Sequence, residues 1–242
     1  MVLLHGLGSR GDDLRQVAAA VDGARAVLMP DLRGHGDQAP APFTALRDFA
    51  SDVEPLTRDG QPVIIAGFSF GAWVALELWR LAPAAISAVV LVDPPLDHGA
   101  LYEWARGQSR SARGAMRKLG QLFRTRDLGR ALALMAEHPL TRDLGADDRL
   151  ANAQALLAAD RATLSDALRL RAPDAQQARP PGSNAALRVL HGSRSLVCPG
   201  PAARQLALQI GGRSIEYDGG HCAHFEAPDA VGRALSGLLN GP

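Results

Sequence analysis

Gly67-Phe68-Ser69-Phe70-Gly71 lies directly between the apolar run Pro62-Val63-Ile64-Ile65-Ala66 and a helix-like stretch from Ala72 to Trp79. A strand that turns into a helix this tightly leaves room only for small residues on either side of the serine. It also forces that serine into a strained backbone conformation, with its hydroxyl raised above the sheet edge. Strand, Gly-x-Ser-x-Gly turn and helix together match a nucleophile elbow. The pentapeptide alone recurs by chance, so the flanking strand and helix give it its meaning.

The rest of the chain repeats that alternation. Apolar runs of strand length near 1–5, 25–29, 62–66, 86–92, 187–191 and 213–217 are separated by helix-like segments near 12–21, 44–58, 71–82, 200–210 and 226–239. Buried strands alternating with helices predict an α/β fold, a mostly parallel sheet of about six strands covered by helices. Thr44 or Phe43 is expected to open the second helix, and Pro55 to kink it. At 242 residues the chain can bury a full α/β core without staples. Between Pro94 and Ala186 strand-like runs vanish and amphipathic helical segments follow one another. This predicts a core of 1–93 and 187–242 with an inserted helical lid and linker at 94–186, closing through the Pro- and Gly-bearing stretch 172–184.

A formal net charge of +1 gives no reason to expect nucleic acid or an anionic membrane surface as a partner. The two cysteines, Cys198 and Cys222, are too few for a disulfide framework and match no zinc spacing, so no metal is expected and a reducing, cytoplasmic setting is. Met1 to Gly6 carries no basic leader, and no run approaches the ~20 apolar residues that span a bilayer. Arginine outnumbers lysine 25 to 1, spread along most of the chain, which points to genome base composition before anion recognition.

With these pieces in order, the chain resembles the lid-bearing branch of the α/β-hydrolase superfamily. Leu3-Leu4-His5-Gly6-Leu7-Gly8 is similar to that family's oxyanion loop, and Pro30-Asp31-Leu32-Arg33-Gly34-His35-Gly36 to its next loop. The elbow follows, and Gly219-Gly220-His221 with Phe225-Glu226-Ala227-Pro228 is similar to the catalytic-histidine loop. The resemblance implies the α/β-hydrolase fold, catalysis by protein side chains without a cofactor, and a small-molecule substrate. Members usually place two further strands before the one that here starts at Met1. With family strand order, the strand at 25–29 becomes an open edge. A homodimer through that edge and a start codon further upstream are both expectations this departure raises.

Acyl transfer by serine needs a base, a group that orients the base, and donors for the oxyanion. Ser69 supplies the hydroxyl. His221 follows a glycine pair after the last strand, where a loop can carry an imidazole over the elbow, and it comes after the serine as the fold requires. Backbone amides of Leu7 and Phe70 are the expected oxyanion donors. The acid is the irregular member. Where the family usually carries it, after the strand at 187–191, this chain reads Gly192-Ser193-Arg194-Ser195. A neutral Ser195 could accept a hydrogen bond from the imidazole, giving a dyad with a weaker hold on the imidazolium. Asp93, after the preceding strand and before Pro94, keeps the order Ser, Asp, His and is the preferred acid, though an Asp before Pro also caps turns. Asp97 and Asp218 are weaker substitutes.

The remaining histidines are read as structural: His5 and His35 as shapers of loop backbone, and His98, His138 and His191 as lid, lid and strand-end residues. His224 is only a sequence neighbour of His221, and Cys222 is read as a buried filler. Phe68, Trp73 and His5 are expected to line the substrate pocket, with Leu119, Leu122, Phe123, Leu132, Leu134 and Met135 as the lid's apolar underside. From Arg106 to Arg130 the lid carries seven arginines and Lys118 against the single acid Asp127, which suits either an anionic substrate or a solvated helix face. Three functions follow: a serine hydrolase of an ester, thioester or lactone, with carbon–carbon bond hydrolysis as a close relative; a lyase, cyclase or isomerase using His221 in the same pocket; and a hydrolase-derived binding protein.

Overall fold

The computed structural model describes residues 1–95, 110–174 and 179–239. Asp97, His98 and Arg106 lie outside these residues, as do the side chains of Arg110 and Arg113. Five strands, β1 Val2–Leu4, β2 Val63–Phe68, β3 Ile86–Val92, β4 Ala186–Gly192 and β5 Arg213–Tyr217, form one parallel sheet in the order β1-β2-β3-β4-β5. All strands run the same way, so all their C-terminal ends emerge on one edge. Loops from five separate parts of the chain meet there, which is where open α/β sheets place ligands.

Alternation along the strands divides the core. Val2, Leu4, Ile65, Val89, Leu91, Leu187 and Val189 pack on one face against helices α2 Leu46–Val53, α3 Phe70–Leu81 and α8 Gly200–Gln209. Leu3, Ala66, Phe68, Val90, Val92 and Leu190 pack on the other against α1 Arg15–Ala19, the short α9 Ala223–Glu226 and α10 Pro228–Ser236. Burial on both faces removes the polar alternation a one-sided sheet would show, so these strands read as continuous apolar runs.

Two expectations need correction. The strand expected at 25–29 is reduced to a single bridge, Val2 to Leu28, held by Leu3 N–H to Leu28 O at 2.8 Å and Leu28 N–H to Met1 O at 2.9 Å. With β1 only three residues long and Pro30 lacking a donor, there is nothing further to pair, so the sheet has five strands and not about six. The second helix starts at Leu46, where Asp48 accepts the N–H groups of Thr44 at 2.7 Å and Ala45 at 3.0 Å. It does not kink at Pro55 but gives way to a 3-10 turn over Glu54–Thr57.

β3 carries one residue more than the partner strand it follows. Val63 pairs with Ile86 and Ile64 with Ala88, so Ser87 is bulged out, exposed, with its hydroxyl 3.4 Å from Val63 O. Between β3 and β4 the described residues form helices α4 Arg110–Leu122, α5 Leu128–Glu137, α6 Ala146–Ala158 and α7 Arg161–Ala167, and no strand. Leu122, Met135, Leu156 and Leu164 close this insertion's own core, with Leu119, Phe123, Leu132 and Leu134 around it. Asp160 N–H donates to Gly34 O at 2.7 Å, and the Arg161 guanidinium donates to the carbonyls of Phe123 and Thr125.

Candidate active site

Ser69 sits between β2 and α3 with φ 50° and ψ −118°, a left-handed conformation that costs a non-glycine residue energy. The neighbouring glycines make the turn feasible. A Cβ on Gly67 would lie 2.1 Å from Gly71 O, and one on Gly71 would lie 2.4 Å from Leu4 O and 2.6 Å from His5 O. From Val63 to Leu76 every residue is buried except Ser69. The fold therefore presents one hydroxyl to the outside from an otherwise closed stretch of chain. Among the described residues, that hydroxyl makes no hydrogen bond.

Asp93 leaves β3 at the same level. Phe68 pairs with Val92, and Ser69 N–H donates to Val92 O at 2.9 Å, so the residues after each strand are neighbours. Asp93 has φ 46°; it and Ser69 are the non-glycine residues with positive φ among those described. Its side chain is 1% exposed, and its Oδ2 lies 2.5 Å from His221 Nδ1 across 128 residues of sequence. The acidic group beside the imidazole is thus Asp93. Ser195 does not accept from the ring; its hydroxyl donates to the same Oδ2 at 2.7 Å. Asp218, the other substitute in the described chain, pairs with Arg194 on the surface.

The loop carrying His221 is held by groups that sequence reasoning noticed only as a motif. Glu226 accepts Gly220 N–H at 2.7 Å and Cys222 N–H at 3.0 Å, the amides on either side of the histidine. Tyr217 donates its hydroxyl to Gly220 O at 2.8 Å. Gly192 lets the loop lie close: a Cβ there would be 2.4 Å from Gly219 O. Cys222 is buried, its Sγ 3.4 Å from Leu140 O of the insertion, and burial raises its thiol pKa. Burial likewise pushes Cys198 up to about 12, which disfavours the thiolate in both cysteines.

The turn at Leu7 is shaped by two histidines that interlock two loops. His5 Nε2 accepts Leu32 N–H at 2.9 Å while its Nδ1 lies 2.8 Å from Gly6 O. His35 Nε2 accepts Gly8 N–H at 3.0 Å while its Nδ1 lies 2.9 Å from Arg33 O. Each ring therefore carries its proton on Nδ1 and is neutral; burial lowers the pKa of His35, and that of His5 to about 3. Among the described residues, the amides of Leu7 and Phe70 have no acceptor.

The residues expected to line the pocket lie close under the turn. Phe68, Trp73 and His5 are all buried in the body beneath the elbow. Phe68 stacks edge-on against His224, and the Trp73 indole N–H donates to Pro95 O at 3.1 Å. The groups that reach the turn from the other side belong to the insertion: at Gly8 a Cβ would lie 2.7 Å from Leu156 Cδ1 and 3.5 Å from Phe123 Cε1. The sequence could not show which helical face would turn toward the loop. Among the described residues no cluster of His, Cys, Asp or Glu could hold a metal ion, and no helix is long and apolar enough to cross a membrane.

A parallel, helix-covered sheet with a serine on a strained strand-to-helix turn, and a histidine–aspartate pair on the same edge, defines a class of protein. The model of the alpha/beta hydrolase family matches residues 1–234, and the chain belongs to that family. It is 31% identical over 102 residues to the magnesium-chelatase 30 kDa subunit of Rhodobacter capsulatus, covering 40% of this chain and 35% of that protein. It is 38% identical over 71 residues to lipase LipV of Mycobacterium tuberculosis, covering 28% and 27%. These matches span about a third or less of each curated relative. The crystal structure of esterase RhEst1 from Rhodococcus sp. ECU1013 superposes with a TM-score of 0.77 at 20% identity, over 99% of this chain and 90% of that one, a likeness of fold.

Proposed function

We propose that the protein is a serine hydrolase that cleaves an ester, thioester or lactone through an acyl-enzyme on Ser69. The observation that carries this reading is the 2.5 Å contact between His221 Nδ1 and Asp93 Oδ2 on the edge where Ser69 is displayed. With Nδ1–H committed to the carboxylate, Nε2 of His221 is left as the base. In the proposed reaction Nε2 takes the Ser69 proton as Oγ attacks the acyl carbon. The Leu7 and Phe70 amides hold the oxyanion, and the imidazolium then protonates the leaving group. Water, activated by the same nitrogen, releases the acid.

The substrate we propose is a small molecule with an apolar acyl part, because Phe123 and Leu156 approach the oxyanion turn. The described lid cations give little support to an anionic end: Arg117, Arg124, Arg126 and Arg130 are exposed, and Lys118 pairs with Glu137 at 2.6 Å. The test is covalent labelling by an alkyl fluorophosphonate with mass mapping, beside a panel of nitrophenyl esters and acyl thioesters of increasing chain length. Labelling at Ser69, with turnover lost in Ser69→Ala, is the expected result. An intact protein left unlabelled under conditions where serine esterases react overturns the reading. Turnover that survives Ser69→Ala but not His221→Gln would assign the chemistry to a lyase, cyclase or isomerase using His221 alone.

A further inference from the structure

The Ser195 hydroxyl oxygen accepts Val197 N–H at 3.1 Å and Cys198 N–H at 3.1 Å, and lies 2.7 Å from Asp93 Oδ2. A serine hydroxyl offers two lone pairs and one proton. The two amides occupy the lone pairs, so the proton has one direction left, toward Asp93. That same Oδ2 is the atom 2.5 Å from His221 Nδ1. An ionised carboxylate has no proton to donate, so Oδ2 accepts from both neighbours and the hydrogen shared with the ring belongs to the imidazole; the serine hydrogen bond holds that oxygen in place. The chain of donors from two backbone amides through Ser195 to Asp93 thereby selects the His221 tautomer with Nδ1–H and a free Nε2.

We propose that Ser195 is a positioning residue that fixes the Asp93 carboxylate and, through it, the tautomer of His221; the inference rests on the triad read above. Asp93 needs such a hold. Its backbone is in the left-handed region, and among the described residues its other oxygen, Oδ1, meets only Gly192 N–H at 3.4 Å. Ser195 and His221 make the short contacts to this carboxylate. Ser195 itself donates to Asp93 and not to His221 or Ser69, so its effect is exerted through Asp93.

Proton NMR of the ligand-free protein in water tests this without any substrate. The parent should show a low-field resonance for an imidazole N–H bound to a carboxylate, assigned to His221 Nδ1–H by its absence in His221→Gln. Ser195→Ala and Ser195→Cys, the latter keeping the volume but only a weak donor, should shift or lose the resonance and slow fluorophosphonate labelling of Ser69 by about tenfold. Ser195→Thr, which keeps the hydroxyl, should restore both. Ser193→Ala, an exposed neighbour, should change neither. An unchanged resonance in a cooperatively melting Ser195→Ala or Ser195→Cys protein overturns the proposal, as does a folded Ser195→Thr that behaves like Ser195→Ala, or a lost resonance with undiminished labelling. If the parent is never labelled, the hydrolase reading fails, while the resonance still decides what Ser195 does.

Discussion

At the scale of single residues, the proposed site divides between the groups assigned to react and the groups that hold them. Asp93→Asn keeps the shape and a side chain that tolerates positive φ, but puts an amide where the imidazole N–H needs an acceptor. We expect it to lower kcat/KM by about 10³–10⁴-fold, measured on the best ester of the panel. Ser195 and His221 converge on one oxygen of Asp93, so a carboxylate introduced by Ser195→Asp stands close to the imidazole. In the Asp93→Asn background it should recover at least tenfold of the loss, and a double variant no faster than Asp93→Asn would refute that geometry. His224 illustrates the opposite case: 9% exposed, with Nε2 buried between Phe68 and Phe225 and without a partner among the described residues. His224→Leu should stabilise the protein by about 1 kcal/mol, read as a higher Tm, because it removes an unmet polar group. A Tm that falls would show that Nε2 has a partner in solution.

At the scale of elements, the elbow was legible because its rule is local: two glycines and a serine between a strand and a helix admit few other backbones. Gly71→Ala should cost more than about 3 kcal/mol, seen in denaturant melts or as loss of folded protein, since the added methyl meets two carbonyl oxygens of β1 and its turn. The His221 loop was legible as a motif but not as a device. Glu226 receives both amides that flank the histidine. Glu226→Ala leaves two donors stranded, and we expect a lower Tm and labelling slowed by about tenfold, with Glu226→Gln between it and the parent. Equal labelling in all three would sink the bracing role. Other parts depended on distances no local pattern encodes. Asp93 and His221 are 128 residues apart, and whether Asp93 or Ser195 stands against the imidazole depends on contacts between distant loops. Phe68 and Trp73 fall in core clusters on opposite faces of the sheet, a division that apolar character alone does not reveal. The 25–29 segment read as a strand because Val27, Leu28 and Met29 are apolar, yet β1 offers it one bridge.

At the scale of the whole molecule, three buried neutral histidines predict sensitivity to acid. His5 and His224 have pKa values lowered to about 3, and His35 is lowered too, in each case first by burial. The unfolded chain takes up these protons near 6.5, whereas the folded protein takes up those of His5 and His224 only near 3 and that of His35 below 6.5. Over the window from about 6.5 down to about 3 the unfolded state binds more protons, so stability falls as pH falls, and above that window these groups have no effect. Calorimetry at pH 7 and pH 4.5 should show a clear loss of Tm, with a shallower slope in His224→Leu; a Tm flat across this interval removes the histidines as its cause. The bulge at Ser87 has a bearing on the same edge. From Val63 to Phe68 β2 uses six residues, while β3 uses seven from Ile86 to Val92 to cover the same rise, and only with that extra residue do both strands run out together. Ser87 thus works as a spacer at the far end of the sheet, setting whether Ser69 and Asp93 come off the strands side by side. Straightening β3 there would leave every residue of the site intact and still misalign it by about 3.3 Å, one strand residue.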